Sequence, residues 1–486
     1  MNWRLIVRLQ GYLLLVIGAF MVLPLGWSVH YGGDDFYAVF SGMSITLFIG
    51  LLLATLFRAP KKLGVREGFI IVSLGWIMAA LFSALPFYIY GEMGGYVDCF
   101  FEAMSGLTTT GATILRDIEG LPRGLLFWRS LLHWLGGMGI VLLTIVVLPA
   151  LGVSYGQLYR AEVPGPTKDR LSPRIQDTAK ILWFIYLGLT ALETALLMLG
   201  GMDLYNALCH TFGTLATGGF STRGASIAAF QSVYIETVII VFMYLAGINF
   251  ALLFQFIRGR GRTLIANREW QFYTAVLLVA VAAVTVNLMF SADPSLTAYR
   301  HPGHALRQAA FQVVSITTTT GYGTADFNQW PPFSRLLLIS LMFFGGCAGS
   351  TGGGMKQVRI LVALKHSWRE IQRLMHPRGV FTLRLGQNPI PDYVVRNVIA
   401  FVLIFIGLFA VITLFLAARG YGIVTAFSAA IATMGNIGPG LARVGAVENY
   451  AFFDVPSKIV LTASMMLGRL EVFSVLIFIL ALGEKR

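Results

Sequence analysis

Charge is scarce in this sequence: Asp, Glu, Lys and Arg make up only 12% of its 486 residues. A soluble domain carries about 25%, because water must be faced on every side. So little charge excludes an ordinary water-soluble globule. Cysteine is scarce as well. Cys99, Cys209 and Cys347 lie far apart, each inside an apolar stretch, which excludes a disulfide framework and a thiolate metal site. The seven histidines form no HxxxH pair on a helix. No G-x-G-x-x-G stands between a strand and a helix. The glycine-rich Gly349–Gly354 lacks the Gly-Lys-Ser ending of a phosphate-binding loop, so nucleotide is not a ligand of this chain's own motifs. Ser-His-Asp, paired-carboxylate and zinc constellations at a usable spacing are missing too, and the chain is not read as an enzyme.

Long apolar runs are what the sequence has instead, with 56% hydrophobic residues and a mean hydropathy of +0.73. A spanning helix needs roughly 20 predominantly apolar residues. Ten such runs are expected, near 8–30, 37–57, 68–91, 124–150, 178–200, 233–257, 270–291, 334–364, 394–418 and 457–482. The first has no small-residue cleavage site after it and reads as a span rather than a leader. Lys and Arg cluster in alternate connections: Arg4 and Arg8, Arg58 to Arg66, Arg160 to Lys180, Arg258 to Arg268, Lys356 to Arg396, and Lys485 with Arg486. By the positive-inside rule these connections and both termini are cytoplasmic. The net charge of +13 is thus a signal of topology, and nucleic acid is not an expected partner. Asp98, Asp117, Glu119, Asp203, Asp293, Asp326, Glu448 and Asp454 fall on the opposite side. They either concentrate cations there or are ordinary solvated loop charge.

Four shorter segments follow four of the spans: Asp98–Ala112, Asp203–Gly219, His304–Tyr322 and Gly422–Pro439. Each ends in small residues and a glycine, at Gly111, Gly218, Gly321 and Gly438. A motif recurring roughly every 110 residues indicates duplicated units. Segments this short read as re-entrant rather than spanning. Non-helical backbone at membrane depth is tolerated only when it is buried in protein or lines a watery cavity. A half-crossing helix puts the negative end of its dipole near the membrane centre, which favours a cation. Carbonyl oxygens of the following extended loop can then replace an ion's hydration shell. Thr319-Thr320-Gly321-Tyr322-Gly323 closely resembles the TVGYG filter of K⁺ channels.

These residues carry a resemblance over essentially the whole chain. TTTGAT at 108–113, ATGGFST at 216–222, TTTTGYGTAD at 317–326, GNIGPG at 435–440, FFGGCAGSTGGGMK at 343–356 and MLGRLE at 466–471 resemble the Trk/Ktr/HKT superfamily of K⁺ transporters, most closely its bacterial Trk membrane subunits. The resemblance implies an all-α polytopic membrane protein. Four pseudo-repeats of span, re-entrant pore helix, filter loop and span would surround one pore, after two extra N-terminal spans. The corresponding boundaries are 1–63 for the extension, then 64–155, 170–265, 266–366 and 385–486. It implies K⁺ as the transported ion and no organic cofactor. Its filter would be built from Thr110, Gly111, Thr217, Gly218, Thr320, Gly321, Tyr322, Ile437 and Gly438, with K⁺ held by the backbone carbonyls of Thr110, Thr217, Thr320 and Ile437. It further implies a homodimer in the bacterial cytoplasmic membrane, in contact with lipid, and a separate cytosolic nucleotide-binding ring on the basic inner face.

Between Gly345 and Gly354, six of ten residues are glycine. Each costs about 1 kcal/mol relative to Ala inside a helix, so the third repeat's second span should break there. Gly136-Gly137-Met138-Gly139, Gly247 and Gly468 mark similar weak points, either hinges or places of close helix packing. The resemblance makes Gly345, Gly346, Gly349, Ser350, Thr351, Gly352, Gly353 and Gly354 a gate under the filter, with Arg469 facing the pore beside it. A buried pairing of Arg469 with Glu102 or Glu193 is the alternative. Asn249, His133 and Arg129 read as polar groups that hydrogen-bond between helices. An ion-coupled K⁺ symporter is the competing function, with Glu102 and Glu193 as its intramembrane carboxyls; a membrane enzyme is a weaker one.

Overall fold

The computed structural model describes residues 3–56, 65–139, 175–386, 388–472 and 474–475. It is built almost entirely of helices. α1 (Trp3–Phe20) and α2 (Val22–Tyr31) make one 29-residue apolar rod, and α3 (Phe36–Leu56) packs back along it. α3 is apolar around its whole circumference, yet it buries Ala38, Gly42, Thr46, Gly50 and Ala54, the small residues at every fourth position, and turns Phe48 and Leu51 outward. A Cβ added to Gly11 of α1 would strike the backbone at Gly50 and Ala54. Helices in lipid associate this way, through close approach of small residues, because hiding apolar surface from an apolar solvent gains nothing.

The first sequence repeat holds α4 (Val65–Ser83), its continuation α5 (Leu85–Tyr90), α6 (Tyr96–Leu107) and α7 (Arg123–Gly137). The second holds α8 (Ile175–Leu199), α9 (Leu204–Leu215), α10 (Val233–Ala246) and α11 (Phe250–Ile257). The third has α12 (Arg268–Met289), α13 (Pro302–Thr317), α14 (Pro332–Leu341) and α15 (Gln357–Met375). The fourth has α16 (Asp392–Ala418), α17 (Ile423–Met434) and α18 (Val455–Arg469).

Among the described residues, six helical stretches are long and apolar enough to cross a membrane, and α10 with α11 makes a seventh only as a pair bent by 106°. Four of the ten expected spans, that bent pair at 233–257 among them, are therefore not continuous helices among the described residues. The run at 124–150 stops being helical after Gly137, that at 334–364 after Leu341, and that at 457–482 after Arg469. Each stop falls at or near a glycine site, and so does the bend after Ala246, where Gly247 follows. Residues 140–150 and 476–482, the inner connection 152–174 and the C-terminal Lys485 and Arg486 lie outside the described residues.

α6, α9 and α17 have 12 residues each. At about 1.5 Å per residue that is roughly 18 Å, too short for a hydrocarbon core about 30 Å thick. The core of the molecule sits at their C-terminal ends, where Ala103–Leu107, Cys209–Leu215 and Ser428–Met434 are all buried. Three of the half-helices also lean on a neighbouring repeat: α9 on α7, α13 on α10, and α6 on α18.

Candidate functional site: four carbonyl loops over a glycine loop

All four half-helices end in the same backbone closure. The amide of Thr110 donates to Ser105 O at 2.9 Å, that of Gly218 to Gly213 O at 2.8 Å, that of Thr320 to Ser315 O at 2.8 Å, and that of Ile437 to Ala432 O at 2.8 Å. The preceding residue is left-handed in every case, with φ of 52° at Thr109, 55° at Thr217, 62° at Thr319 and 54° at Asn436. The following residue is a left-handed glycine: Gly111 at 77°, Gly219 at 79°, Gly321 at 81° and Gly438 at 92°. Four non-glycine residues at positive φ are strained positions that surrounding packing must hold.

This closure corrects the register of the second repeat by one residue. Gly218 was expected as its closing glycine and Thr217 as its carbonyl donor to the ion. Gly218 instead stands where Thr110, Thr320 and Ile437 stand, and Gly219 is the left-handed glycine. The Gly-Gly pair hid the shift, because either glycine satisfies the motif. The ring itself gives the same register. A Cβ on Gly111 would overlap Gly218 O, one on Gly219 would overlap Thr320 O, one on Gly321 would overlap Ile437 O, and one on Gly438 would press on Thr110 O. Each glycine thus abuts the carbonyl of the next repeat until the circle closes. Gly111, Gly219, Gly321 and Gly438 together floor an outward-facing cavity of about 350 Å³.

Different side chains brace each junction of this ring. Tyr322 turns its hydroxyl away to His210 O at 3.0 Å and Phe220 O at 3.2 Å, while its carbonyl accepts from Ser315 Oγ at 2.7 Å. Its role is that of a strut between the second and third repeats. Tyr450 donates to Gly438 O at 2.7 Å, and its amide donates to Thr113 O. Asn436 donates to Thr110 Oγ1 and to Met465 O, both at 2.9 Å. Thr108 and Thr110 share a 2.8 Å hydrogen bond that Thr318 and Thr320 repeat. His133, buried, reaches Gly106 O with Nδ1 and accepts from the Phe220 amide at Nε2.

The glycine loop lies against the base of the ring. It opens with the amide of Gly345 on Met355 O, and Gln357 Nε2 closes it on Gly345 O at 2.8 Å. Inside it, the amide of Gly353 donates to Thr319 Oγ1 at 2.7 Å, and Thr351 Oγ1 donates to Leu215 O at 2.8 Å. The amide of Cys347 donates to Gly247 O, and that of Phe250 to Gly349 O. A Cβ at Gly345 would overlap Gly353 O, so glycine is required for the loop to fold on itself. Arg469 Nη1 donates to Thr351 O at 2.7 Å, while Nη2 donates to Gly136 O at 2.6 Å and Gly137 O at 2.9 Å. A second cavity, of about 100 Å³, is lined by Gly137, Gly139, the loop from Gly349 to Gly354, Lys356 and Arg469. The loop thus separates this inner cavity from the ring.

Several sequence expectations are reassigned here. Glu102 pairs with Arg129 at 2.6 Å, not with Arg469. Glu471 pairs with Arg359, whose guanidinium also lies 3.9 Å from the Phe401 ring centre. Glu193 is buried on α8 beside Thr214. Lys356, counted by sequence with the cytoplasmic charges, is buried and donates to Gly352 O. Its position two residues after Gly352-Gly353-Gly354 was the available signal. Glu269 had none: Oε1 accepts the amides of Ala348 at 2.7 Å and Val358 at 3.0 Å, anchoring both ends of the loop. Most outer acids have structural employment. Asp98 pairs with Lys458, Asp454 with Arg419, Glu119 accepts from the Gly224 amide, and Asp293 and Asp326 cap short helices. Glu448 lines the outer cavity, together with Arg116 and Arg223.

Comparison with known proteins agrees with this geometry. The family model described as TrkH, cation transport protein, matches residues 37–484. The Trk system potassium uptake protein TrkH of Salmonella typhimurium is 41% identical over 98% of both chains. TrkG of Escherichia coli, another Trk system potassium uptake protein, is 33% identical over 98% of this chain and 97% of its own. The crystal structure of the potassium transporter TrkH from Vibrio parahaemolyticus superposes with a TM-score of 0.87 at 37% identity, covering 98% of each chain. With its apolar helices, its ring of glycine-ended half-helices and these relatives, the chain belongs to the TrkH family of cation transport proteins and is a multi-pass protein of the bacterial cytoplasmic membrane.

Proposed function

We propose that this chain carries K⁺ into the cell through a channel-like pore with its four repeats arranged around it. The carbonyls of Thr110, Gly218, Thr320 and Ile437 serve as the filter, next to Gly111, Gly219, Gly321 and Gly438. The glycine loop 345–354 with Arg469 serves as the gate. The observation that carries this reading is the closed ring, in which each left-handed glycine rests on the next repeat's carbonyl. Backbone carbonyls in a ring can replace a cation's hydration shell, and the four half-helix C-termini add negative potential at the same level. Thr109 Oγ1 and Asn436 Oδ1, one residue before the ring, are buried without a hydrogen-bond partner among the described residues. Such oxygens suit a layer that receives a partly dehydrated cation.

The repeat boundaries expected from sequence, 64–155, 170–265, 266–366 and 385–486, belong to this proposal, as do a homodimer with one pore per copy and a cytosolic nucleotide-binding ring on the basic inner face. The relatives are named as uptake and transport proteins, which supports transport over enzymatic chemistry.

The test is ⁸⁶Rb⁺ uptake into liposomes holding the purified protein and, separately, into bacterial cells stripped of their own K⁺ uptake. Uptake competed by K⁺ far better than by Na⁺, with the preference relaxed by Gly111→Ser, supports the filter. A parent with no K⁺ preference in cells overturns it. Coupled symport is the second reading, and buried Glu193 is the observation that keeps it. Uptake following the K⁺ gradient with no fixed H⁺ or Na⁺ stoichiometry, and unchanged by Glu193→Gln, rules symport out.

A further inference from the structure

At the junction of the first and second repeats, the ring is braced by charge. Glu102 lies in α6 and Arg129 in α7, 0% and 2% exposed at the side chain, with Arg129 Nε 2.6 Å from Glu102 Oε1. The pair serves both loops that leave the ring there. Glu102 accepts from Thr113 Oγ1 at 2.9 Å and from the amide of Ile114 at 2.8 Å, two and three residues beyond Gly111. Arg129 Nη1 donates to Ser221 O at 3.0 Å, two residues beyond Gly219, and its guanidinium carbon lies 3.5 Å from the centre of the Phe220 ring.

The geometry points to Glu102 and Arg129 as a positioning pair that sets cation discrimination by fixing the filter loops of the first two repeats against each other. The inference rests on the filter reading above. A buried ion pair is a poor source of net stability, because desolvating two charges offsets their attraction. Apolar residues of the same volume would hold α6 to α7 equally well. Only a charged fork held by a carboxylate can grip two loops from different repeats at once, because each partner keeps acceptors or donors to spare after the pair has formed. Removing one charge leaves the other buried and uncompensated; removing both leaves the loops without their shared anchor but the core without a lone charge.

The filter's width follows from how far the loops stand apart, and a carbonyl cage discriminates ions by the size and field of its oxygens. Arg129 borders the cavity floored by the ring, but the pair's contacts with the two loops fall on Thr113, Ile114, Phe220 and Ser221, and through these it positions the ring.

The experiment measures ⁸⁶Rb⁺ uptake, and its inhibition by Na⁺ and by K⁺, in K⁺-uptake-deficient bacteria expressing the full chain. The parent is compared with E102Q, R129K and the double variant E102Q/R129Q, each corrected for folded protein in the membrane. The expected result is a loss of K⁺-over-Na⁺ preference of about tenfold in E102Q/R129Q, equivalent to about 1.4 kcal/mol. R129K, which keeps the charge but reaches only one acceptor, should fall between the two. A merely structural pair would lower the amount of folded protein without moving the ion preference of what remains. Parental preference in folded E102Q/R129Q, while Gly111→Ser relaxes it, overturns the inference and leaves the filter standing. Should the double variant not fold, parental preference in R129K overturns it equally. No preference in the parent would instead overturn the filter reading beneath it.

Discussion

The guanidinium of Arg469 reaches from the fourth repeat to the carbonyl of Thr351 in the glycine loop, 2.7 Å away, while its other arm holds Gly136 O and Gly137 O of the first repeat. A single side chain therefore ties the loop under the ring to a helix end on another repeat. In the proposed pore, a positive charge at this point would oppose a cation descending from the ring, since like charges repel most strongly where water is scarce.

Replacing Arg469 by Ala should raise uptake. A hydrogen bond to a charged group contributes about 1.5–3 kcal/mol, and losing the one to Thr351 should shift the loop toward release by about tenfold or more. Initial ⁸⁶Rb⁺ uptake rates measure this, with Arg469→Lys expected between parent and Ala. Unchanged rates in folded Arg469→Ala would show that the loop does not limit flow.

The corrected register separates two neighbouring glycines. A Cβ on Gly218 collides with the ring of His133, whereas one on Gly219 collides with the backbone carbonyl of Thr320 and also meets a left-handed φ. Gly218→Ala should be partly rescued by His133→Ala, since a side chain can be cut back. Gly219→Ala should not be rescued by that change, since backbone cannot. Uptake and melting temperature of the four variants decide it; equal rescue of both would refute the register.

Asn436 holds the position that is Thr109, Thr217 and Thr319 in the other repeats, and its amide bridges to Thr110 Oγ1 and Met465 O. Asn436→Ala should lower stability by about 1–3 kcal/mol, the usual cost of unpairing buried polar groups. Asn436→Thr should recover little of it, because a threonine is too short to span both partners. Thermal unfolding in detergent gives the comparison.

At the N-terminal end of α18, Asp454 accepts hydrogen bonds from the backbone amide of Ser457 and from Arg419, and these hold its carboxyl down at about 2, below the ordinary 3.8. A depressed folded value means its contribution is complete above the unfolded value and is lost as pH falls through the folded one. Asp454→Asn keeps a helix cap but cannot titrate. Its stability deficit against the parent should be constant from pH 7 to about 5, then shrink between about 4 and 2. A deficit that shrinks already between pH 7 and 5 would contradict this assignment.

Much of the architecture was legible because its cause is local or periodic. Runs of twenty apolar residues announce helices, and the lipid-facing Phe48 and Leu51 need no partner to explain them. Glycine clusters announced where helices stop, at Gly137, before Gly247 and before Gly345, since glycine loses helix propensity wherever it stands. The repeating half-helices were legible from recurrence, yet Gly218 and Gly219 could not be told apart. Which of them takes the left-handed place depends on a hydrogen bond to Gly213 O and on contact with a carbonyl a hundred residues away.

What the sequence by itself determined is the class of molecule: a membrane-embedded chain with four glycine-ended loops, a glycine-rich break and an arginine beside it. Only the tertiary structure decided who meets whom. Glu102 could have answered Arg469 or carried a proton; it is held by Arg129. Lys356 could have been a cytoplasmic charge; it is folded into the loop it follows. Glu269 gave no sign of anchoring that loop across some eighty residues. Composition and periodicity act along the chain and can be read there, whereas a buried charge is placed by the partner that offsets its desolvation, and that partner is chosen by the fold.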